Sequence, residues 1–470
     1  MTAQPGQAGQ AGGQPRPLVY ARVKAALPQS SLTAIAQHMF SLMLRNMSSD
    51  GFVFADPLAP GSFSAPGCII ASPSFPADLA DIDQDYVFNW TRDAAIATVE
   101  LAAASIPARP GEGVQPLIDY VNFARTCQDN SGSRTVGQAA YTIEGQPRTD
   151  RGTQDDGPAL QTLAILQAFP QLDAPTQATA ASVISANLSY LLGPGPQGVP
   201  VFQSQTTNLW EEESGFSFFA RAVQLKCFQQ VTANTVGIPV PPGTAAAITF
   251  LQDALPGHFN GQFYQSVLPV PADSGAPYDP NIDIVLSSLY GAVPVTDTKM
   301  LATAALIRRQ RTDPSSSLAY PVNAADQART PPLGPLLGRY PGDKYDGDVG
   351  EPAPVAGHPW ALCTANFASL YYGLANTITQ TQAVPLDNLS AGFFGQAGIT
   401  ASTTPGQAAA SLQAAADQML NALVFHSDHL ELSEQFDKDT GFEKSVRDLT
   451  LSYASFLAAV RAKTGQHALG

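Results

Sequence analysis

Tyr86-Val87-Phe88-Asn89-Trp90-Thr91-Arg92-Asp93 is a polar loop carrying aromatic rings, and it runs without a break into Ala94-Ala95-Ile96-Ala97-Thr98-Val99-Glu100-Leu101, which is almost wholly apolar. The second half reads as a helix that is to be buried. The first half has the groups to bind something polar. The same pairing recurs along the chain. Apolar residues return at helical spacing in twelve segments, at 31–47, 92–105, 114–127, 157–169, 175–192, 212–230, 244–254, 282–291, 297–310, 360–376, 405–424 and 446–463. Every second segment follows a polar loop, and the intervening ones mostly follow plain linkers. These loops run from Tyr86 to Asp93, Arg151 to Asp156, Asn208 to Glu212, Tyr278 to Asp283, Arg339 to Trp360 and Glu431 to Asp448.

Six helical hairpins closed in a ring account for that alternation. The even helices line the inside, and their N-terminal ends surround one pocket. The expected fold class is therefore all-α, an (α/α)6 barrel with long active-site loops. Pro158 and Pro405 support the helix starts, since proline is tolerated in a first turn. Cys68-Ile69-Ile70-Ala71 and Val199-Pro200-Val201-Phe202 have strand character but are short, and no strand–helix alternation builds a parallel sheet. A generic helical array with polar loops is the plainer alternative.

Composition narrows the partners. The chain has 470 residues, is 44% apolar and only 13% charged, and carries a net charge of −15. Such a charge repels nucleic acid and anionic membranes, so neither is expected as a partner, whereas an uncharged substrate is compatible with it. No apolar run reaches the length of a membrane span. Residues 1–16 are rich in Gln, Gly, Pro and Ala and are expected to be disordered, with one catalytic domain over 17–470. They lack the basic start and apolar stretch of a signal peptide. The four cysteines lack metal-ligand spacing and read as buried free thiols. Asn89-Trp90-Thr91 is a glycosylation sequon inside the presumed site loop, which speaks against a glycosylating secretory route. A cytoplasmic address and a monomer are expected, with no cofactor and no metal.

Asn208-Leu209-Trp210-Glu211-Glu212-Glu213 concentrates charge in a chain that has little of it. Like charges this close disfavour one another's ionisation, so one carboxyl of the three is expected to hold its proton near neutral pH. A protonated acid beside a flat aromatic surface suits cleavage of a sugar–sugar bond. The plainer reading is a solvated acidic helix start. The three tryptophans, Trp90, Trp210 and Trp360, all fall in the polar loops beside charged or polar residues. Aromatic faces there stack on sugar rings while the neighbours bind hydroxyls, or alternatively they staple helix starts.

Taken together, these stretches resemble glycoside hydrolase family 15, the glucoamylases. The resemblance is carried, in order, by Ile70-Ala71-Ser72-Pro73-Ser74, Trp90-Thr91-Arg92-Asp93, Asp156-Gly157-Pro158-Ala159-Leu160, Leu209-Trp210-Glu211-Glu212, Gly338-Arg339-Tyr340-Pro341, Pro359-Trp360-Ala361-Leu362-Cys363, Leu432-Ser433-Glu434-Gln435 and Arg447-Asp448-Leu449-Thr450-Leu451-Ser452-Tyr453-Ala454. It implies an inverting, exo-acting hydrolase that releases β-glucose from non-reducing ends of α-1,4-glucans. By motif, Glu211 is implied as general acid and Glu434 as general base. Arg92 and Asp93 are implied ligands of the terminal sugar's 4- and 6-hydroxyls. Arg339 and Glu212 are implied as hydroxyl ligands, Tyr86 as holding the attacking water, and Trp90, Trp210 and Trp360 as pocket walls. The acid must be protonated at working pH, a need that repulsion from Glu212 and Glu213 would serve. Glu434 must stay ionised, in surroundings wetter or richer in donors. Activity is then expected to peak on the acid side of neutrality.

The chain departs from the family in three places. Asn208 stands where an aspartate is frequent, and His358 where an asparagine is common before Pro-Trp. A tryptophan usual a few residues before Asp-Gly-Pro is missing, its slot falling at Asp150 or Arg151. The chain ends soon after the last helix, so no granule-binding module is expected. Cleavage of α-1,6-glucans or of trehalose is the alternative on the same fold. A non-catalytic glucan-binding regulatory domain is the alternative of another class, and a helical scaffold for protein partners is weaker still.

Overall fold

The computed structural model describes residues 31–56, 59–74, 86–104, 113–131, 136–233, 236–271, 277–347 and 357–466. The 1–16 segment lies outside them. Twelve helices carry the architecture: α1 (Leu32–Leu44), α2 (Thr91–Ala103), α3 (Gln115–Ser131), α4 (Gly157–Ala168), α5 (Ala174–Leu192), α6 (Phe218–Thr232), α7 (Thr244–Ala254), α8 (Asp283–Leu289), α9 (Thr298–Thr312), α10 (Ala361–Thr381), α11 (Pro405–His426) and α12 (Thr450–Lys463). Shorter helices at Pro321–Gln327 and Ala391–Gly395 sit in the connections.

The even helices pack in a closed cycle. α2 meets α4, α4 meets α6, α6 meets α8, α8 meets α10, α10 meets α12, and α12 returns to α2. The odd helices form the outer layer, with α1 on α12, α3 on α5, α5 on α4, α7 on α6, α9 on α8 and α11 on α10. This is the (α/α)6 barrel the alternation predicts. Burial follows from position. An inner helix is covered by the outer layer, by its two ring neighbours and by the barrel centre, so it needs no polar face. Every residue of α2 from Thr91 to Ala102 is buried, as is every residue of α12 from Thr450 to Val460. Glu100 and Arg461 form a buried ion pair, with Nε 3.1 Å from Oε2, that ties α12 to α2 where the ring closes. Paired charges in such a place fix register more than they add stability.

The start signals operate as expected. α4 begins at Gly157 with Pro158 in its first turn, and α11 begins at Pro405 behind a capping box of Thr404 and Gln407. Two segment starts move by four or more residues. α6 starts at Phe218 rather than 212, because Ser214–Ser217 is a strand, and α12 starts at Thr450 rather than 446. Val199–Phe202 is not a strand, since Val201–Gln203 forms a 3-10 turn after Pro200. Cys68–Ala71 runs extended, with Ile69 bridged to Met47, without joining a named strand. All four cysteines are buried and free.

Short antiparallel ladders sit where inner helices begin. Asn89–Trp90 pairs with Ala140–Tyr141 directly before α2, and Ser214–Ser217 pairs with Thr206–Thr207 and Val267–Leu268 before α6. Gln435–Phe436 pairs with Glu443–Lys444, and Gln435 also bridges Trp360 before α10. These ladders fix the loop residues against one another at one end of the barrel. Asn89 is buried and donates from Nδ2 to the Ile69 carbonyl at 2.8 Å, so the sequon is not presented for glycosylation. Among the described residues, no helix is long and apolar enough to cross a membrane.

Candidate active site

The acidic run is not a helix start. Asn208 shapes it as a turn: its Oδ1 accepts from the backbone N–H of Glu212 at 3.2 Å and of Glu213 at 3.3 Å, and its Nδ2 donates to the Tyr278 hydroxyl. An amide does both. An aspartate could accept but not donate. Inside the turn Glu211 has a φ of 64°, a left-handed conformation that costs a side-chain-bearing residue on the order of 1–3 kcal/mol. That backbone sends adjacent carboxyls to different partners.

Glu211 Oε1 accepts from Trp90 Nε1 at 2.6 Å and lies 3.8 Å from Arg92 Nη2. Its Oε2 is 3.5 Å from Arg151 Nη1. Glu212 lies 2.8 Å from Arg339 Nη2 and accepts from the Tyr340 hydroxyl at 2.6 Å. The repulsion expected from Glu212 is thus offset by its own guanidinium. The charged groups in contact with Glu211 are arginines, not the other glutamates.

Glu434 is held through the neighbouring ring of an aromatic pair. The Tyr86 and Trp90 rings are 5.9 Å apart. Trp90 holds Glu211, and the Tyr86 hydroxyl donates to Glu434 Oε1 at 3.0 Å. Ser445 donates to Glu434 Oε2. The backbone of Glu434 is pinned between Val446 and Ala361, its N–H on the first carbonyl and its own carbonyl on the N–H of the second, which places it at the start of α10. The expectation of wetter surroundings fails, because Glu434 is only 4% exposed. The expectation of donors holds. Burial pushes its carboxyl up to about 7, against the opposing pull of Ser445, Tyr86, Arg339 and Tyr345.

Arg92 lies at the first turn of α2, with Nε 3.1 Å from Asp93 Oδ1, Nη1 donating to Gln154 Oε1 at 3.0 Å, and Nη1 3.7 Å from Asp156 Oδ2. Burial raises the carboxyls of both Asp93 and Asp156 above the ordinary aspartate value. Both Asp156 oxygens lack a hydrogen-bond partner. Arg339 is fixed by Asp343, with Nε 3.0 Å from Oδ2 and Nη2 2.7 Å from Oδ1. Its guanidinium lies 4.7 Å from the centre of the Trp360 ring and 5.2 Å from that of Trp210, so these two tryptophans hold the arginine. Trp210 Nε1 donates to Asn281 Oδ1 at 3.0 Å. A Cβ on Gly338 would collide with the Tyr320 hydroxyl and stand 2.7 Å from the His358 carbonyl, which explains the glycine before Arg339. His358 accepts the Lys438 N–H at Nδ1, so Nε2 donates to Asp346, 3.2 Å away.

All ten residues singled out in the sequence therefore converge on one end of the barrel. Sequence reasoning missed their supports. Tyr340 and Asp343 are close to Arg339 in the chain and could have been suspected. Tyr345, 2.8 Å from the Tyr86 hydroxyl, and Ser445 had no local signal. Arg151 was noticed only as a missing tryptophan, yet it touches Glu211.

Two carboxyls held by neighbouring aromatic rings and flanked by buried arginines, at the helix-start end of an (α/α)6 barrel, are the arrangement of a glycoside hydrolase. The chain matches the family described as Glycosyl hydrolases family 15 over residues 41–461, and it belongs to that family. It is 29% identical to a glucoamylase of Saccharomyces cerevisiae, described as intracellular and sporulation-specific, over 85% of this chain and 79% of that one. It is 28% identical to glucoamylase 1 of Rhizopus oryzae, over 90% of this chain and 69% of that one. The glucoamylase structure from Hormoconis resinae superposes with a TM-score of 0.73 at 22% identity, covering 95% of this chain and 74% of the other. The Saccharomycopsis fibuligera glucoamylase gives 0.72 at 21% identity, covering 92% and 95%.

Proposed function

We propose that this chain is an inverting glucan 1,4-α-glucosidase that releases β-glucose from non-reducing ends of maltooligosaccharides and soluble starch, with Glu211 as general acid and Glu434 as general base. One observation carries the assignment of roles. Glu211 and Glu434 are held by the neighbouring rings of Trp90 and Tyr86, each carboxyl oriented by a separate donor set.

Glu211 Oε1 is engaged by the Trp90 indole, which leaves Oε2 to carry the proton to the glycosidic oxygen. Arg92 and Asp93, on the Oε1 side, take hydroxyls of the terminal sugar. Their buried charges gain partners from it that water cannot supply there. Arg339, held in plane by Asp343, and Glu212 take further hydroxyls. Each Glu434 oxygen accepts one hydrogen bond and keeps a lone pair for the attacking water. Burial makes this carboxylate a stronger base than one in water. Tyr86 and Ser445 fix its direction. Inversion needs the water to attack from the face opposite the acid.

Since Glu434 must be ionised to act, kcat/KM rises with pH through its raised value near 7. The pH optimum, expected on the acid side of neutrality, thus lies close to neutrality. A monomer fits, because one chain supplies all six inner helices. A cytoplasmic address is supported by the four free cysteines and by the buried sequon.

The test is a panel of maltotriose, isomaltotriose and trehalose with the product anomer read by NMR. β-Glucose from maltotriose is expected, and Glu211→Gln should lower kcat by at least about a thousandfold while sugar binding persists. Release of α-glucose, cleavage of trehalose alone, or an active Glu211→Gln protein would refute the assignment.

A further inference from the structure

The slot where a tryptophan was expected falls at Asp150 or Arg151, and Arg151 is no neutral presence there. Its Nη1 is 3.5 Å from Glu211 Oε2, and its guanidinium lies 5.9 Å from the centre of the Trp90 ring. The two oxygens of Glu211 face different territory. Oε1 faces Trp90 and Arg92, and the Arg92 side chain is only 7% exposed, deep in the pocket. Oε2 faces Arg151, whose side chain is 25% exposed, toward the mouth. The terminal sugar is held on the Arg92 side, so the Arg151 side receives the sugar or other group that leaves.

The charges near Arg151 balance only while Glu211 is ionised. Its other acidic contact is Asp150, with Oδ2 3.7 Å from Nε. Asp150 is already taken by Arg148 in a two-point contact, at 3.1 Å and 2.6 Å. Arg151 Nε makes no hydrogen bond although it is buried. Arg92 has its own acids, Asp93 and Asp156. A general acid works in its protonated, neutral form. In that form Arg151 loses the negative partner on Nη1, and Arg148 and Arg151 share the single charge of Asp150. A half-buried guanidinium left this way is an anion-binding group with a planar fork.

We infer that Arg151 is a specificity-determining residue of the leaving-group subsite, and that it favours α-glucosides whose leaving group bears a carboxylate or another anion near the scissile bond. This rests on the role given above to Glu211. The anion supplies the charge that the protonated acid withdraws, so binding it and arming the acid support each other. A neutral hydroxyl accepts a hydrogen bond from the same fork but brings no charge.

The experiment compares maltobionate with maltitol, which share an open-chain leaving group and differ in the carboxylate. The wild-type protein should show a kcat/KM about tenfold higher on maltobionate, an advantage that shrinks as added salt screens the pair. Arg151→Gln should bring the ratio close to one, and Arg151→Lys should keep part of it. A ratio near one in the wild type, or an unchanged ratio in Arg151→Gln, would overturn the inference. A binding arm separates it from the assignment of activity. Glu211→Gln presents a permanently neutral group to Arg151, so calorimetry on that variant should show maltobionate bound about tenfold more tightly than maltitol, and the double variant with Arg151→Gln should not. Arg151-dependent anion preference in binding, without turnover by the wild type, would refute the hydrolase reading and leave the anion-binding role of Arg151 standing. Equal binding of the two compounds would refute the inference whatever the turnover.

Discussion

Ser445→Ala isolates the tuning of the proposed base. Ser445 donates to Glu434 Oε2, and Tyr86 donates to Oε1 at 3.0 Å, so the substitution removes one of two direct donors and leaves the other. A hydrogen bond to a buried charged group contributes about 1.5–3 kcal/mol. At about 1.4 kcal/mol per pKa unit, its loss moves the carboxyl by about one to two units. The direction is fixed by what the donor stabilises. The hydroxyl favours the ionised form, so removing it pushes the carboxyl further above its present value near 7. The acid limb of kcat/KM should therefore move up by the same one to two units. Below the limb, activity on maltose should fall by about ten- to a hundredfold, and the deficit should shrink as pH rises. Ser445 has a φ of 62°, which alanine tolerates no better than serine, so Ser445→Gly is the companion variant that removes the hydroxyl and relieves the backbone. The assay is the pH profile of kcat/KM for both variants. An unmoved acid limb, or a loss equal at every pH, would show that Glu434 is not the group whose ionisation opens the reaction.

Other perturbations test neighbouring parts of the argument. Trp90→Phe keeps a ring beside Tyr86 but removes the 2.6 Å bond to Glu211, and kcat should fall about tenfold or more; an unchanged kcat would mean the indole N–H does not orient the acid. Arg339→Lys loses the two-point contact with fully buried Asp343 and the planar face against Trp360, so KM should rise about tenfold or more and the melting temperature should drop. Asp283 is fully buried in α8 with its carboxyl raised to about 7 by burial, far above its unfolded value. Its contribution to stability is therefore complete below about pH 4 and is lost as pH rises through about 7, a ceiling of about 4 kcal/mol. Asp155 and Asp279, each raised to about 6, act in the same direction. Unfolding followed by calorimetry should show the wild type less stable at pH 8 than at pH 5, with a flatter dependence in Asp283→Asn.

Much of the barrel was legible because helix periodicity is a local property of the chain. Each of the twelve apolar segments became a helix of the ring or of its outer layer, and the loops before the even segments became the site. The largest boundary error has a tertiary cause. At 212–217 two glutamates read as the acidic first turn of a helix, but Asn208 turns the chain and Ser214–Ser217 pairs with Val267–Leu268. A tertiary pairing overrode the local preference there. Val199–Phe202 failed similarly, since apolar residues flanking a proline suit a tight turn as well as a strand.

Sequence alone determined the alternation of inner and outer helices, the clustering of tryptophans in the polar loops, and the family motifs that single out Glu211 and Glu434. Those features are written in runs of a few residues. The environment of each carboxyl was decided only by the folded chain. Arg151 reaches Glu211 across 60 residues, Tyr345 reaches Tyr86 across 259, and Arg461 closes the ring on Glu100 across 361. Whether an acidic run repels itself or divides among arginines depends on which loops the closed ring brings together, and on the left-handed turn that splays Glu211 from Glu212. Coulombic and desolvation effects act over a few ångströms in space, not along the sequence. For that reason the chain named its two carboxyls in advance, while only the barrel set the paired rings that hold them, the burial of Glu434 and the arginine beside Glu211.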